Sequence, residues 1–246
     1  MIIGFAGAGN MAAAIARGWA GQWEGMLFFD PDSERARRLA DELGGEVVAS
    51  NGELAERADA VLLAVKPGAL QQAAGELVGA KSVISILGAT SLEDVQAAFP
   101  DTAVGRVMPN VAVEVGSGVL CVAGEFSSEV REKLGALGAV VELPDSQFDL
   151  ATAVMACSPA YFALVAEALT DAGARAGMDE ELVERLVVEA AAGSGLLMRI
   201  RRPADVRVSV TSPGGSTEAG LDALEREGAR EAFAAAVRAS LERMGG

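Results

Sequence analysis

Residues 2–12 read I-I-G-F-A-G-A-G-N-M-A: an apolar run, two glycines one residue apart, then the start of an alanine-rich stretch. The pattern G-x-G-x-x-A spans Gly7, Gly9 and Ala12 and sits where a strand over Met1–Ala6 gives way to a helix. Each small residue has a job there: Gly7 permits the tight turn, Gly9 lets a pyrophosphate approach the backbone, and Ala12 allows close helix–strand packing. The free amides and positive end of the following helix favour an anion. Gly7, Gly9, Asn10 and Met11 are therefore candidate dinucleotide contacts. A second strand ends at Asp30, where an acidic side chain commonly takes the hydroxyls of an adenosine ribose. The other reading of Asp30-Pro31-Asp32 is a turn that caps the next helix; Arg35, Arg37 and Arg38 follow closely.

Outward from this stretch, strand-like and helical patterns alternate. Strands are expected at Met26–Asp30, Ala60–Val65, Ser82–Leu87, Ala103–Met108, Gly118–Val122 and Val140–Glu142, and helices at Met11–Ala20, Ser33–Leu43, Leu70–Val78 and Ser91–Ala98. Buried strands alternating with helices predict an α/β fold: a doubly wound, mainly parallel sheet of the Rossmann type. Past residue 145 the strand signals cease. Ser146–Gly177, Asp179–Ile200 and Glu218–Met244 are rich in Ala, Leu and Glu. The expected organisation is a dinucleotide-binding domain over 1–145 and a smaller all-α domain over 146–246. The helices of the second part are apolar around much of their circumference, which predicts a homodimer or higher homo-oligomer to cover them, the alternative being docking on the chain's own first domain.

Composition narrows the chemistry. The 246 residues carry a formal net charge of −15, which argues against nucleic acid or an anionic membrane as partner. No unbroken apolar run approaches the roughly 20 residues of a membrane span, and no basic leader precedes the first strand. Cys121 and Cys157 have neither disulfide-framework nor metal-type spacing, consistent with a reducing cytoplasm. The chain contains no histidine, so histidine-based triads, metal sites and general bases are excluded. Hydroxyls, backbone amides, carboxylates and a bound cofactor remain.

Two strand ends and one loop are further candidates. A-V-K-P (Ala64, Val65, Lys66, Pro67) and M-P-N (Met108, Pro109, Asn110) fall at the carboxyl edge of the predicted sheet, where ligands bind in this architecture. They are placed to flank a nicotinamide ring or simply to turn the chain. V-T-S-P-G-G-S-T-E, Val210–Glu218, puts a proline, two glycines and four hydroxyls directly before a helical run. Free amides and hydroxyls at a helix start suit a small carboxylate; a plain capped helix start is the alternative.

That loop, followed by A-G-L-D-A-L-E, resembles the signature of the pyrroline-5-carboxylate reductase family. The likeness runs in order through I-I-G-F-A-G-A-G-N-M-A, V-A-S-N, A-D-A-V-L-L-A-V-K-P, R-V-M-P-N, C-S-P-A-Y and S-P-G-G-S-T. The resemblance implies a Rossmann domain, an intertwined helical dimer, and substrate between the domains. It implies that Ser212, Gly214, Gly215, Ser216 and Thr217 hold the carboxylate of 1-pyrroline-5-carboxylate, with Thr217 near the ring nitrogen as the catalytic candidate. Asn51 would contact the adenosine end of NADPH or NADH, and Ala64, Lys66, Pro67 and Asn110 the nicotinamide side. The reaction implied is hydride transfer to the carbon of a cyclic imine, giving L-proline without a strong general acid.

Three places depart from the family pattern. Val111 and Ala112 follow M-P-N, Ala156 and Cys157 precede S-P-A-Y, and Asp30 and Asp32 stand in the cofactor loop, leaning the preference toward NADH. The first two keep another cyclic imine open as substrate. Hydroxyacid dehydrogenases share the glycine pattern but depend on a lysine in the helical domain, and this chain has none beyond Lys133. A non-catalytic dinucleotide sensor would have no need of the complete S-P-G-G-S-T loop.

Overall fold

The structure is a computed structural model and describes residues 1–244. It divides into two compact units, Met1–Cys157 and Ser158–Arg243. The composition changes at 145, but the first unit runs further because Phe148 and Ala151 pack with Met108 and Cys121 in a small core of their own.

The first unit is an eight-stranded sheet in the order β3-β2-β1-β4-β5-β6-β7-β8. The strands are β1 (Ile2–Ala6), β2 (Gly25–Phe29), β3 (Glu46–Val47), β4 (Ala60–Leu63), β5 (Ser82–Ser85), β6 (Ala103–Pro109), β7 (Gly118–Gly124) and β8 (Gly138–Glu142). All neighbours are parallel except β6 and β7, which pair antiparallel from Gly105↔Gly124 to Pro109↔Leu120. Helices α1 (Asn10–Gly18), α2 (Ser33–Leu43), α3 (Asn51–Arg57), α4 (Leu70–Glu76), α5 (Leu92–Ala98) and α6 (Ser128–Ala136) cover its two faces.

Side chains of a strand alternate between faces, and the core splits accordingly. Ile3, Phe5, Phe28, Leu62 and Ile84 pack with α1, α2 and α6, while Leu27, Val61, Leu63 and Val83 pack with α3, α4 and α5. Apolar residues on both faces are what make these strands read as continuous runs rather than alternating ones. Trp19 anchors the first face: fully buried, it sets its ring edge-on to Phe5 and Trp23 and donates its indole N–H to the Lys133 carbonyl at 2.7 Å. Beyond α7 (Phe148–Ala151) the chain makes a wider π-type turn over Thr152–Ala156.

The second unit is helical: α8 (Ser158–Arg175), α9 (Glu180–Met198), α10 (Pro203–Ser209), α11 (Ser216–Arg226) and α12 (Ala229–Met244). Asp179 caps α9 by accepting from the Leu182 N–H at 3.0 Å, and Glu180 and Glu181 fill its first turn. The expected single run over 218–244 is two helices, because Gly228 at φ +75 ends the first before the second begins. Between α8 and α9 lies a groove of about 620 Å³, walled by Phe162, Val165, Leu169, Leu186, Val187 and Met198. Phe162 is 69% exposed and Leu186 53%.

Candidate active site

The order of β3-β2-β1-β4 reverses direction at β1, so the carboxyl ends of β1 and β4 diverge and open a crevice. Gly7 sits in that crevice at φ +104, and a β-carbon there would meet the Ala64 carbonyl oxygen at 2.6 Å. Conformation and space therefore both demand glycine. Gly9 is different: its φ is −74, and a β-carbon would find nothing within 4 Å. Its missing side chain keeps open the approach to the first turn of α1, where the N–H groups point outward.

Two cavities flank this turn along the dinucleotide path. One, about 230 Å³, is lined by Gly9, Asn10, Met11, Ala12, Ala64 and Val65 together with Ile86, Leu87 and Gly88 after β5. The second, about 300 Å³, lies beside Gly7 and is walled by Phe29, Pro31, Val65, Ala69 and Ala73, with Asn51, Gln72 and Glu76 as its polar residues. The structure thus brings the glycine turn together with Ala64 and Val65 of A-V-K-P, while Lys66 and Pro67 line neither cavity. It also adds Ile86–Gly88, which sequence reasoning missed because no recognisable motif follows β5. Ala89, next in line, is the one non-glycine residue at positive φ (+49) among those described.

Asp30 serves the loop before it serves any ligand. One carboxylate oxygen accepts the Ala8 N–H at 2.7 Å, inside the glycine turn, and the other accepts the Asp32 N–H at 2.8 Å. Asp32 caps α2 through the Glu34 N–H at 3.2 Å and pairs with Arg35 at 3.2 Å. The turn-and-cap reading of this segment is realised, and the Asp30 carboxylate stands just past the end of β2. A wider cleft of about 640 Å³ opens between α1 and α2, with Arg17, Arg35 and Arg38 on its walls. Arg17 is already committed to Glu42 and Glu114.

Asn51 is 5% exposed. Its amide Nδ2 donates to Glu76 Oε2 at 2.8 Å, while its Oδ1 has no partner. Gln72 donates to the other oxygen of Glu76 at 2.9 Å, and these two amides hold the Glu76 carboxyl below the usual carboxylate range. A buried acceptor without a donor costs free energy of about 1–3 kcal/mol. The apolar walls Phe29, Pro31 and Val65 of the same cavity, with Asn51, Gln72 and Glu76 as its polar side, fit an adenosine group at this end of the crevice.

Lys66 is exposed and caps the short turn Pro67–Ala69. Asn110 does something different from the other candidates: its Oδ1 accepts the Val119 N–H and its own N–H reaches the Val119 carbonyl, both at 3.1 Å. It closes the connection between β6 and β7. Nearby Arg106, almost wholly buried, pairs with Asp145 at 2.7 Å and lies 4.4 Å over the Phe148 ring. The second oxygen of Asp145 accepts the Leu92 N–H that starts α5, at 3.0 Å.

In the second unit, Gly214 takes φ +71, and a β-carbon on Gly215 would meet Ser212 Oγ at 2.6 Å. Their amides are used within the loop: Gly214 donates to Glu218 Oε2 at 2.7 Å and Gly215 to the Ser212 carbonyl at 3.0 Å. The first intrahelical bond of α11 belongs to Ala219. The N–H groups of Ser216, Thr217 and Glu218 before it are the ones this geometry offers to an anion, beside the exposed hydroxyls of Ser212, Ser216 and Thr217. Among the described residues no cluster of metal-ligating side chains exists.

Known proteins match this arrangement in both halves. Residues 145–245 match the pyrroline-5-carboxylate reductase dimerisation family, and residues 2–88 match the family described as NADP oxidoreductase, coenzyme F420-dependent. By length and composition alone the helical stretch Asp145–Arg175 could cross a membrane, but it falls within the dimerisation match. The pyrroline-5-carboxylate reductase of Synechocystis is 36% identical, over 98% of this chain and 96% of its own. That of Thermus thermophilus is also 36% identical, over 99% and 97%. The crystal structure of Plasmodium falciparum pyrroline carboxylate reductase with NADP bound superposes with a TM-score of 0.88 at 27% identity, covering 99% of this chain and 97% of that one. The chain belongs to the pyrroline-5-carboxylate reductase family.

Proposed function

We propose that the chain reduces 1-pyrroline-5-carboxylate to L-proline with NADH or NADPH, as its family membership implies. The observation that carries the reading is one chain holding both a built dinucleotide crevice and the intact Ser212–Thr217 loop. When bound, the dinucleotide supplies a hydride to the imine carbon. Ser212, Ser216 and Thr217, with the first-turn amides of α11, hold the substrate carboxylate; Gly214 and Gly215 shape the loop. The N–H groups lie at the positive end of an eleven-residue helix, which favours the carboxylate. A substrate arriving as the iminium needs no further proton, so positioning carries the rate. The Thr217 hydroxyl orients the ring nitrogen.

Of the two cofactors we propose NADH, because the Asp30 carboxylate sits against Ala8 at the end of β2 and would repel a 2′-phosphate. The domains over 1–145 and 146–246 divide the work between cofactor and substrate. A second copy covers the α8–α9 groove in a homodimer, and the free thiols of Cys121 and Cys157 suit the cytoplasm.

The test is oxidation of NADH and NADPH, followed optically, with 1-pyrroline-5-carboxylate as acceptor. Wild type should turn over, favour NADH, and lose at least tenfold in kcat on Thr217→Ala. No turnover from folded wild-type dimer would overturn the assignment; unchanged kcat in the variant would overturn the role of Thr217.

A further inference from the structure

The loop assigned above to the substrate carboxylate already holds a carboxylate of its own. Gly214, at φ +71, donates its N–H to Glu218 Oε2 at 2.7 Å, the length of a charge-assisted bond. Glu218 lies in the first turn of α11 and is half-buried. The loop it grips is fixed elsewhere too: the Thr211 hydroxyl donates to the Arg207 carbonyl at 2.7 Å, and the Gly215 N–H to the Ser212 carbonyl at 3.0 Å. Glu218 therefore keeps its charge at the same helix end whose Ser216, Thr217 and Glu218 N–H groups are free for an anion. No arginine or lysine forms an ion pair with it among the described residues, so the charge is uncompensated. A first-turn acid commonly stabilises its helix; this one also stands where a ligand anion must go.

We propose that Glu218 is a specificity-determining residue: its charge makes the loop select net-neutral zwitterions, imino acids with a cationic ring nitrogen, over carboxylates that carry no cation. The proposal rests on the reading of Ser212–Thr217 as the carboxylate loop and adds to it the charge state of the ligand. A plain carboxylate brings a second negative charge to one helix end, and the repulsion offsets part of the attraction of the free amides. In the iminium form of a cyclic imino acid, and in the ammonium form of the product, the positive nitrogen is bonded to the carbon that bears the carboxylate. That charge cancels most of the repulsion.

The experiment compares two competitors of similar shape, L-proline and cyclopentanecarboxylate, as inhibitors of cofactor oxidation by the full-length protein with 1-pyrroline-5-carboxylate. Wild type should bind L-proline the more tightly. Glu218→Gln keeps an acceptor for the Gly214 N–H and removes the charge. It should tighten cyclopentanecarboxylate about two- to fivefold relative to L-proline, the scale of one exposed charge at a helix end. In wild type the same narrowing should follow from raising the ionic strength to about 0.5 M, where screening acts within about 4 Å, and the variant should show less of it. A residue that only stabilises α11 would lower the melting temperature on replacement and leave the ratio of the two inhibition constants as it was. A ratio that Glu218→Gln leaves unchanged, or that salt moves equally in both proteins, would overturn the proposal while leaving the carboxylate-loop reading intact. Absence of turnover in wild type would overturn both.

Discussion

Replacing Gly7 and Gly9 one at a time by alanine separates two functions that the glycine pattern merges. At Gly7 the backbone sits at φ +104, beyond the left-handed region that non-glycine residues sometimes visit. An alanine there carries strain of about 1–3 kcal/mol. Its β-carbon would also lie 2.6 Å from the Ala64 carbonyl oxygen, against an ordinary carbon–oxygen contact of about 3.3 Å or more. That carbonyl cannot retreat freely, because the Ala64 N–H is bonded to the Ala6 carbonyl at 2.9 Å, continuing the β1–β4 ladder. Loosening the bond adds about 1 kcal/mol, and the lower entropy of the unfolded alanine chain returns about 0.4–1 kcal/mol. The net loss is about 1–4 kcal/mol, at its upper end a large share of a typical folding stability. For a chain of this size it corresponds to a fall in melting temperature on the order of 10 °C. At Gly9 the same substitution meets no atom within 4 Å and no adverse φ. Gly9→Ala should therefore melt within about 2 °C of wild type but bind NADH at least tenfold more weakly. Calorimetric melting and NADH titration of both variants decide the matter. A Gly7→Ala protein as stable as wild type, or a Gly9→Ala protein that binds normally, would refute the reasoning.

Other perturbations follow from the same geometry. Ala89 holds a left-handed backbone at a cost of roughly 1–2 kcal/mol; Ala89→Gly relieves it, less the extra unfolded-state entropy, and should raise the melting temperature by about 1–3 °C. The Asp59 carboxyl is held below its ordinary range by Lys81, then by the Ile2 N–H. Its stabilisation is therefore present above the unfolded value near pH 4 and disappears as the pH falls through the lower folded value; urea titrations of Asp59→Asn should show a flatter pH dependence than wild type below pH 4 and the same dependence elsewhere. Leu169→Asp and Leu186→Asp, each placing a charge in the apolar α8–α9 groove, should convert dimer to monomer in analytical ultracentrifugation, and a persisting dimer would exclude this face as the interface.

The elements legible in the sequence are those whose burial left a pattern. β1, β2, β4 and β5 are apolar on both faces, and the glycines after β1 and the cap residue Asp179 mark their helix starts directly. β3 escaped because it is two exposed residues, Glu46 and Val47, with nothing to alternate. The seven-residue helix α3 carried a usable sign, Ser50 followed three residues later by Glu53; Ser50 accepts the Glu53 N–H, and Glu53 reaches back to the Ala49 N–H. Pro203 at the first turn of α10 was a similar sign. At the site, the glycine turn, Asp30, Asn51 and Ala64 could be read from motifs. The Ile86–Gly88 wall and the Gln72–Glu76 pair could not, because their place depends on which strands and helices become neighbours. Nor could the internal use of the Gly214 amide, which hinges on the rotamer of Glu218.

The double grip of Asp30 has a consequence for how this protein can change over evolutionary time. The same carboxylate that we propose discriminates at the ribose end also fastens Ala8 to the end of β2. A mutation that swaps it for a smaller or cationic side chain, to welcome a 2′-phosphate, simultaneously unlatches the turn on which every dinucleotide depends. A change at Asp30 therefore needs a partner change that supplies Ala8 with a new acceptor. Drift at Asp30 is constrained by the turn it holds, whichever reductant the crevice takes.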